Sequence, residues 1–385
     1  MRSVFSTDRR NLNRRQFLVG PAGAAWTVLQ LSACLQSKGS DRAAVVRTVL
    51  GPVAPETLGV TLMHEHAPSV DWSELYATPS APLVSIRERM LTETSGMLNA
   101  FHQSLSAEDG PGAIVECTPI RVGRYPQLLV DLARRTQIHI IASTGFWCEA
   151  LAPQHPWAVR LGIDPDGASK IADLFVREIT EGMEYPGGRW GECFTNIRAG
   201  VIKVGTSALM RPSEKAVHVG AAMASRRTGC SITTHTTKGG GLKQARLLLE
   251  SGAAPGRVII GHQGHMDDGK NAEAGDYHQE IARLGCYLQF DRVGSANYNC
   301  DKQARLIHNL IARGFEQQIL VGHDHVPYFY RDFSVETKAS QSWREKRANF
   351  TVVTTKLVDS LEQLGVSRRQ IRTILLENPR RVLAF

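Results

Sequence analysis

The chain has 385 residues, 42% of them hydrophobic, with 45 Lys and Arg against 37 Asp and Glu for a formal net charge of +8. That length supports one large core or two smaller ones, and beyond the N-terminal leader no stretch is apolar for long enough to span a bilayer. No Lys/Arg tract interleaved with aromatics occurs, which argues against nucleic-acid binding.

Residues 1–33 read as an export leader and are set apart from the fold. Asn13-Arg14-Arg15-Gln16-Phe17-Leu18 resembles the twin-arginine motif, with Asn13 where Ser or Thr is usual. A weakly apolar stretch follows and ends in Leu31-Ser32-Ala33-Cys34, which looks like a bacterial lipobox and makes Cys34 a candidate lipidation site. An incidental cysteine in an ordinary cleaved signal is the plainer alternative. The leader holds five Arg and one Asp, so its removal halves the net charge. The expected destination is the periplasm, with membrane contact only through a lipid on Cys34. Residues 34–44, small and polar, read as a tether. The six later cysteines form no CxxC pair, which argues against a Cys-type zinc site and for buried thiols.

From residue 45 onward the chain reads as a single domain. Ala44 to Leu50 and the turn after it predict a short strand lying across the bottom of a barrel. Apolar runs then alternate with helix-like segments. The runs are Leu58–His66, Ala113–Thr118, Ile138–Thr144, Ala199–Gly205, Ser231–His235, Arg257–Gly264, Cys286–Asp291 and Gln318–Asp324. Amphipathic stretches lie between them, among them Arg87–Ser104, Gln244–Glu250 and Gln303–Ala312. Eight buried-looking runs alternating with helices predict an α/β fold, a TIM (β/α)8 barrel. Thr354 to Phe385 predicts two helices, with Ser367 as N-cap of the second.

Several runs deliver a metal-type side chain at their C-terminal ends, where such barrels keep their active sites. His64 and His66 stand two apart, so in a strand both imidazoles share a face while Glu65 points away. His235, His262 and Asp324 close three later runs. His323 and His325, which flank Asp324, read as supporting or loop residues. Lys203 is unusual, because an ammonium in a barrel interior is costly to desolvate and burial favours the neutral amine. A neutral amine can take up carbon dioxide as a carbamate, a carboxylate able to bridge two cations. From local sequence alone, a lysine paired with a carboxylate at the barrel mouth is the slightly favoured reading. Phe146, Trp147 and Tyr328 are candidate pocket aromatics, with packing as the equal alternative.

Together these pieces resemble the phosphotriesterase family of the amidohydrolase superfamily. The carriers run from Gly59–His66 through Gly123-Arg124, Thr144-Gly145-Phe146, Ile202-Lys203-Val204 and Thr234-His235-Thr236. They continue through Ile260-Gly261-His262, Phe290–Gly294 and Gly322-His323-Asp324 to Glu377–Leu383. The resemblance implies two divalent metal ions, zinc foremost. His64, His66 and Asp324 would hold one and His235 and His262 the other, with Lys203 bridging both as N6-carboxylysine. It further implies attack by a metal-bridging hydroxide, with Asp324 as the catalytic proton acceptor, on a small-molecule lactone or carboxylic ester. Phosphotriester hydrolysis proper, amide hydrolysis and a non-catalytic surface lipoprotein are the alternatives; a homodimer is left open.

Overall fold

A computed structural model describes residues 43–67, 83–148, 156–186, 191–237, 239–265, 276–294, 299–327 and 349–385. Cys34 and Tyr328 lie outside these residues. The unit from Ala44 to Phe385 carries the fold.

Two short strands come first, β1 (Val46–Thr48) and β2 (Gly51–Val53), paired antiparallel. Eight parallel strands follow: β3 (Thr61–Glu65), β4 (Ala113–Glu116), β5 (His139–Phe146), β6 (Val201–Gly205), β7 (Ile232–His235), β8 (Val258–Ile260), β9 (Tyr287–Phe290) and β10 (Ile319–Val321). They neighbour one another in strict chain order. The barrel is drawn shut between its first and last strands: Asp324 N donates to His64 O at 2.8 Å and His66 N to His325 O at 2.9 Å. Seven barrel strands fall inside one of the apolar runs, β5 overruns its run by two residues to Phe146, and the fold is a TIM barrel.

Helices fill the connections. They are α1 (Leu83–Gln103), α2 (Pro126–Arg135), α3 (Pro156–Ile163), α4 (Gly167–Thr180), α5 (Pro212–Thr228), α6 (Gly241–Glu250), α7 (Asp276–Arg283) and α8 (Cys300–Ala312). The stretch 147–198, read from sequence only as a long connection, contains α3 and α4. The C-terminal segment contains the expected break, and Ser367 caps Arg368–Arg372 through a reciprocal pair of bonds with Gln370.

Strand alternation divides the apolar residues into two cores. Ile202, Val204, Ile232, Ile260, Leu288, Phe290, Ile319 and Val321 face the helices. Met63, Val115, Ile141, Val201, Ile259, Tyr287 and Leu320 fill the barrel, where Val46, Val382, Leu383 and Ala384 join them. The first strand and the chain end therefore plug the N-terminal mouth together. Val45 and Phe385 exchange both backbone bonds, and Val49 N donates to Ile140 O at 2.9 Å. The expectation of a strand across the barrel bottom matches this arrangement. With that mouth sealed, inward polar side chains collect at the other end.

Candidate metal centre

Alternation on β6 places Val201 inside, Ile202 outside, and Lys203 inside one layer nearer the C-terminal mouth. Lys203 is paired in register with Gly145 of β5, where a side chain would strike the Lys203 carbonyl oxygen at 1.8 Å. Glycine at this point lets the two strands stay in contact beside the lysine. The Lys203 amine is buried and donates to His64 Nε2 at 2.6 Å.

His64 has its orientation fixed from behind. Gln289 Nε2 donates to the Met63 carbonyl at 2.7 Å, so Gln289 Oε1 is the atom that meets His64 Nδ1, at 2.8 Å. The carboxylate of Asp291 lies 3.0 Å from the same nitrogen. Both partners are acceptors, so Nδ1 carries the proton and Nε2 is a bare lone pair. Asp291 does the same for His262: its Oδ1 lies 2.7 Å from Nδ1, and its Oδ2 accepts the His262 N–H at 3.0 Å. Burial raises the Asp291 carboxyl, but His262 and His64 outweigh it and hold it well below its ordinary value.

The inner nitrogens converge. His66 Nε2 lies 3.2 Å from Asp324 Oδ1, and His64 Nε2 lies 3.7 Å from it. His262 Nε2 faces His235 Nδ1 at 2.6 Å. Burial pushes His66 down to about 4 against the pull of Asp324, and pushes His262 down to about 3, with Asp291 opposing and Arg292 assisting. His235 is held well below its usual value by burial, then by His262 and Lys203. Burial raises Asp324, but His66, His262, His64 and Arg292 reverse the shift and keep it ionised. Neutral imidazoles and an ionised carboxylate are the forms that bind a divalent cation.

The donor set fits such cations. Two ligand atoms that each bind zinc at about 2 Å in a tetrahedron stand about 3.3 Å apart, and the His66–Asp324 and His64–Asp324 separations bracket that value. At His235 and His262 the two nitrogens are closer and must open slightly around an ion. Among the described residues, His64, His66 and Asp324 form one group with metal-holding geometry, and His64, His262 and Asp291 form another.

The loops that present these groups carry strained backbone. Five described non-glycine residues have positive φ, and three of them, His262 (58°), Arg292 (64°) and Asp324 (51°), follow successive strands in the site. Glu65 secures Asp324 by accepting the N–H groups of both its neighbours, His323 at 2.8 Å and His325 at 3.0 Å, and the ring of His323 at 2.9 Å. The sequence expectation that Glu65 turns away and that His323 and His325 support the site describes this arrangement. Arg292 Nε donates to Asp324 Oδ2 at 2.8 Å.

The structure thus brings together His64, His66, Lys203, His235, His262 and Asp324. Trp147 joins them, its ring edge-on to His235 at 5.5 Å. Phe146 does not belong to the pocket. It is buried in the outer core, 5.4 Å from the Phe175 ring of α4, because Gly145 points inward and the next residue must point out. Sequence reasoning passed over Asp291, Gln289, Thr118 and Arg292 as site residues. Asp291 ends an apolar run just as Asp324 does, so the same signal was available for it. Gln289 and Thr118 offer no such signal, since buried Gln and Thr are common.

A model of the Phosphotriesterase family matches residues 44–383. The chain is 28% identical to a phosphotriesterase homology protein of Mycobacterium tuberculosis, covering 88% of this chain and 97% of that one. It is also 28% identical to the N-acetyltaurine hydrolase of Mus musculus, covering 88% and 98%. Among solved structures, an organophosphorus hydrolase from Deinococcus radiodurans superposes with a TM-score of 0.72 at 27% identity, covering 89% of this chain and 99% of that one. A variant of a PTE-like lactonase from the same organism gives 0.73 at 27% identity, over 88% and 99%. The barrel, the converging donors and these likenesses agree: the chain belongs to the phosphotriesterase family, and it is a hydrolase acting on ester- or amide-type bonds.

Proposed function

We propose that this hydrolase is binuclear and metal-dependent and opens a lactone or carboxylic ester. The observation that carries the reading is the convergence of inner imidazole nitrogens and the Asp324 carboxylate at the C-terminal ends of β3, β7, β8 and β10. We assign His64, His66 and Asp324 to one cation, and His235 and His262 to the other. Lys203, as its carbamate, would be shared between them, and zinc is the metal these ligand types suit. Bound there, the cations would supply Lewis-acid polarisation of the substrate oxygen and an acidified water as nucleophile.

The chain's own groups do the rest. Asp324 Oδ1 faces the histidines, leaving Oδ2, held by Arg292 at 2.8 Å, to accept the proton released in the attack. Glu65 keeps that carboxylate aimed by holding the backbone on both sides of it. Trp147 walls the His235 side and limits water there. Amide cleavage is the second reading, favoured by the N-acetyltaurine hydrolases among the relatives.

The test is a panel of aryl esters, lactones, aryl phosphotriesters and N-acetyl amino sulfonates, assayed with zinc-loaded protein against the metal-free control. Lactone or ester turnover is expected to dominate. Turnover confined to the N-acetyl compounds would move the assignment to amides, and an inert panel would defeat the proposal.

We further propose export by the twin-arginine route with Cys34 lipidated, on the support of the leader sequence alone. The mass of the mature N-terminal peptide checks it: acylated Cys34 is expected, and an unmodified N-terminus refutes the anchor.

A further inference from the structure

His64 and His262 each turn an outer nitrogen directly onto Asp291. The outer nitrogen of His66 reaches a carboxylate only through a hydroxyl: Nδ1 lies 2.8 Å from Thr118 Oγ1. A hydroxyl can donate or accept, so this contact alone leaves the imidazole proton unplaced. Glu116 decides the matter. Its Oε1 accepts the Ala67 N–H at 3.3 Å, and its Oε2 accepts the Thr118 N–H at 3.3 Å. Backbone amides only donate, so each oxygen of Glu116 accepts one, and with the carboxyl ionised, as at the pH 8 of the test below, neither oxygen has a proton to give. Thr118 Oγ1 makes a short hydrogen bond to Oε1. The single hydroxyl proton is therefore spent on Glu116, and only lone pairs remain for His66. Nδ1 can engage Thr118 only as a donor. Nε2, 3.2 Å from Asp324 Oδ1, faces a second acceptor, so a cation bound at Nε2 assigns the one imidazole proton to Nδ1.

The pair is held stiffly. Glu116 ends β4 and Thr118 follows it by two residues, both buried, and Ser143 Oγ of β5 donates to the Thr118 carbonyl at 3.0 Å. We infer that Thr118 and Glu116 form a directional relay that locks His66 in its Nδ1–H tautomer and so presents Nε2 to a divalent cation. Both are positioning residues, acting through His66. Carboxylates behind a metal-binding histidine are a general means of fixing tautomer and ring orientation; here a threonine hydroxyl is interposed and transmits the direction. The inference rests on the metal-site reading, and its test separates the two.

Zinc ion alone is titrated into purified metal-free protein against a competing chelating dye at pH 8, with 15N shifts of the histidine rings recorded in parallel. Wild-type protein is expected to bind zinc tightly and to show His66 protonated on Nδ1 once zinc is bound. Thr118→Val keeps the shape but removes the relay atom, and is expected to bind about 10- to 100-fold more weakly, with His66 distributed between tautomers. Thr118→Ser restores the hydroxyl and is expected to recover wild-type affinity and the Nδ1–H ring. Zinc affinity unchanged in Thr118→Val, or a zinc-bound wild-type His66 protonated on Nε2, would overturn the relay. The wild-type ring shifts decide the question even where a variant fails to fold. Wild-type protein that takes up no zinc would instead sink the metal-site reading, and with it the relay that rests on it.

Discussion

At the N-terminal mouth of the barrel, Val46, Leu58, Val201, Val382 and Leu383 pack into an apolar plug made from both ends of the fold. At the C-terminal mouth the inward side chains are His64, Lys203, His235, Gln289, Asp291 and Asp324, held by charge and hydrogen bonds. The same eight strands serve both ends, and the sequence changes character within two or three residues along each. On β6 the change is from Val201 to Lys203; on β9 it is from Tyr287 to Gln289 and then Asp291. The lower end gains free energy from burial. The upper end spends some of it on strained backbone and desolvated charge, which is the usual arrangement in barrels of this kind.

That contrast can be broken from below. Leu383→Ala removes a fully buried side chain from the plug and is expected to cost about 2–5 kcal/mol of stability. Metal affinity and kcat should stay near wild type in the folded fraction. Denaturant unfolding and a zinc titration of the same sample check both halves, and a loss of zinc affinity without a loss of stability would erase the division between the two ends.

From above, the expected cost depends on pH. Burial raises the Glu116 carboxyl to about 7, against the hydrogen bonds it accepts from Thr118 and Ala67. A raised folded-state value means that the folded protein holds its proton more tightly than the unfolded chain does. The stabilisation is thus complete below the ordinary glutamate range and is lost as pH rises through about 7. For the metal-free protein, stability is expected to fall across that window by on the order of 3 kcal/mol. Glu116→Gln should flatten this part of the profile, and chemical denaturation across the window measures it. A wild-type profile that rises there would show that the carboxylate is favoured inside the fold.

The smallest of the three effects sharpens the comparison within the upper end. Asp291→Asn keeps the volume but removes a charge that serves His64 and His262 together. Zinc affinity is expected to fall about 10- to 100-fold, with no shift in the fold seen by circular dichroism. Unchanged affinity would mean that neither histidine needs the Asp291 charge.

The lower end and the strand order were legible in the sequence, because buried parallel strands appear as short apolar runs whose positions need no tertiary information. Ligand types at the strand ends were legible for the same reason: His262 and Asp324 each interrupt an apolar run. The facing of His64 and His66 followed from alternation even though the β3–β4 register shifts between Leu62 and Glu65. What stayed hidden depends on neighbours distant in the chain. Glu65 reads only as a residue pointing away from the histidines until His323 and His325 are seen beside it. Thr118 has no role until it stands between His66 and Glu116. Phe146 shows the opposite case, an aromatic beside a site motif that strand alternation sends into the core.

The central claim is that the upper mouth is a cage of lone pairs built for two cations around Lys203. Metal content of purified wild-type protein and of Lys203→Met, measured on the same zinc-reconstituted preparations, tests it most directly. Two equivalents per chain are expected in the wild type, with metal and activity lost together in the variant. Full metal occupancy and full activity in Lys203→Met would contradict the account.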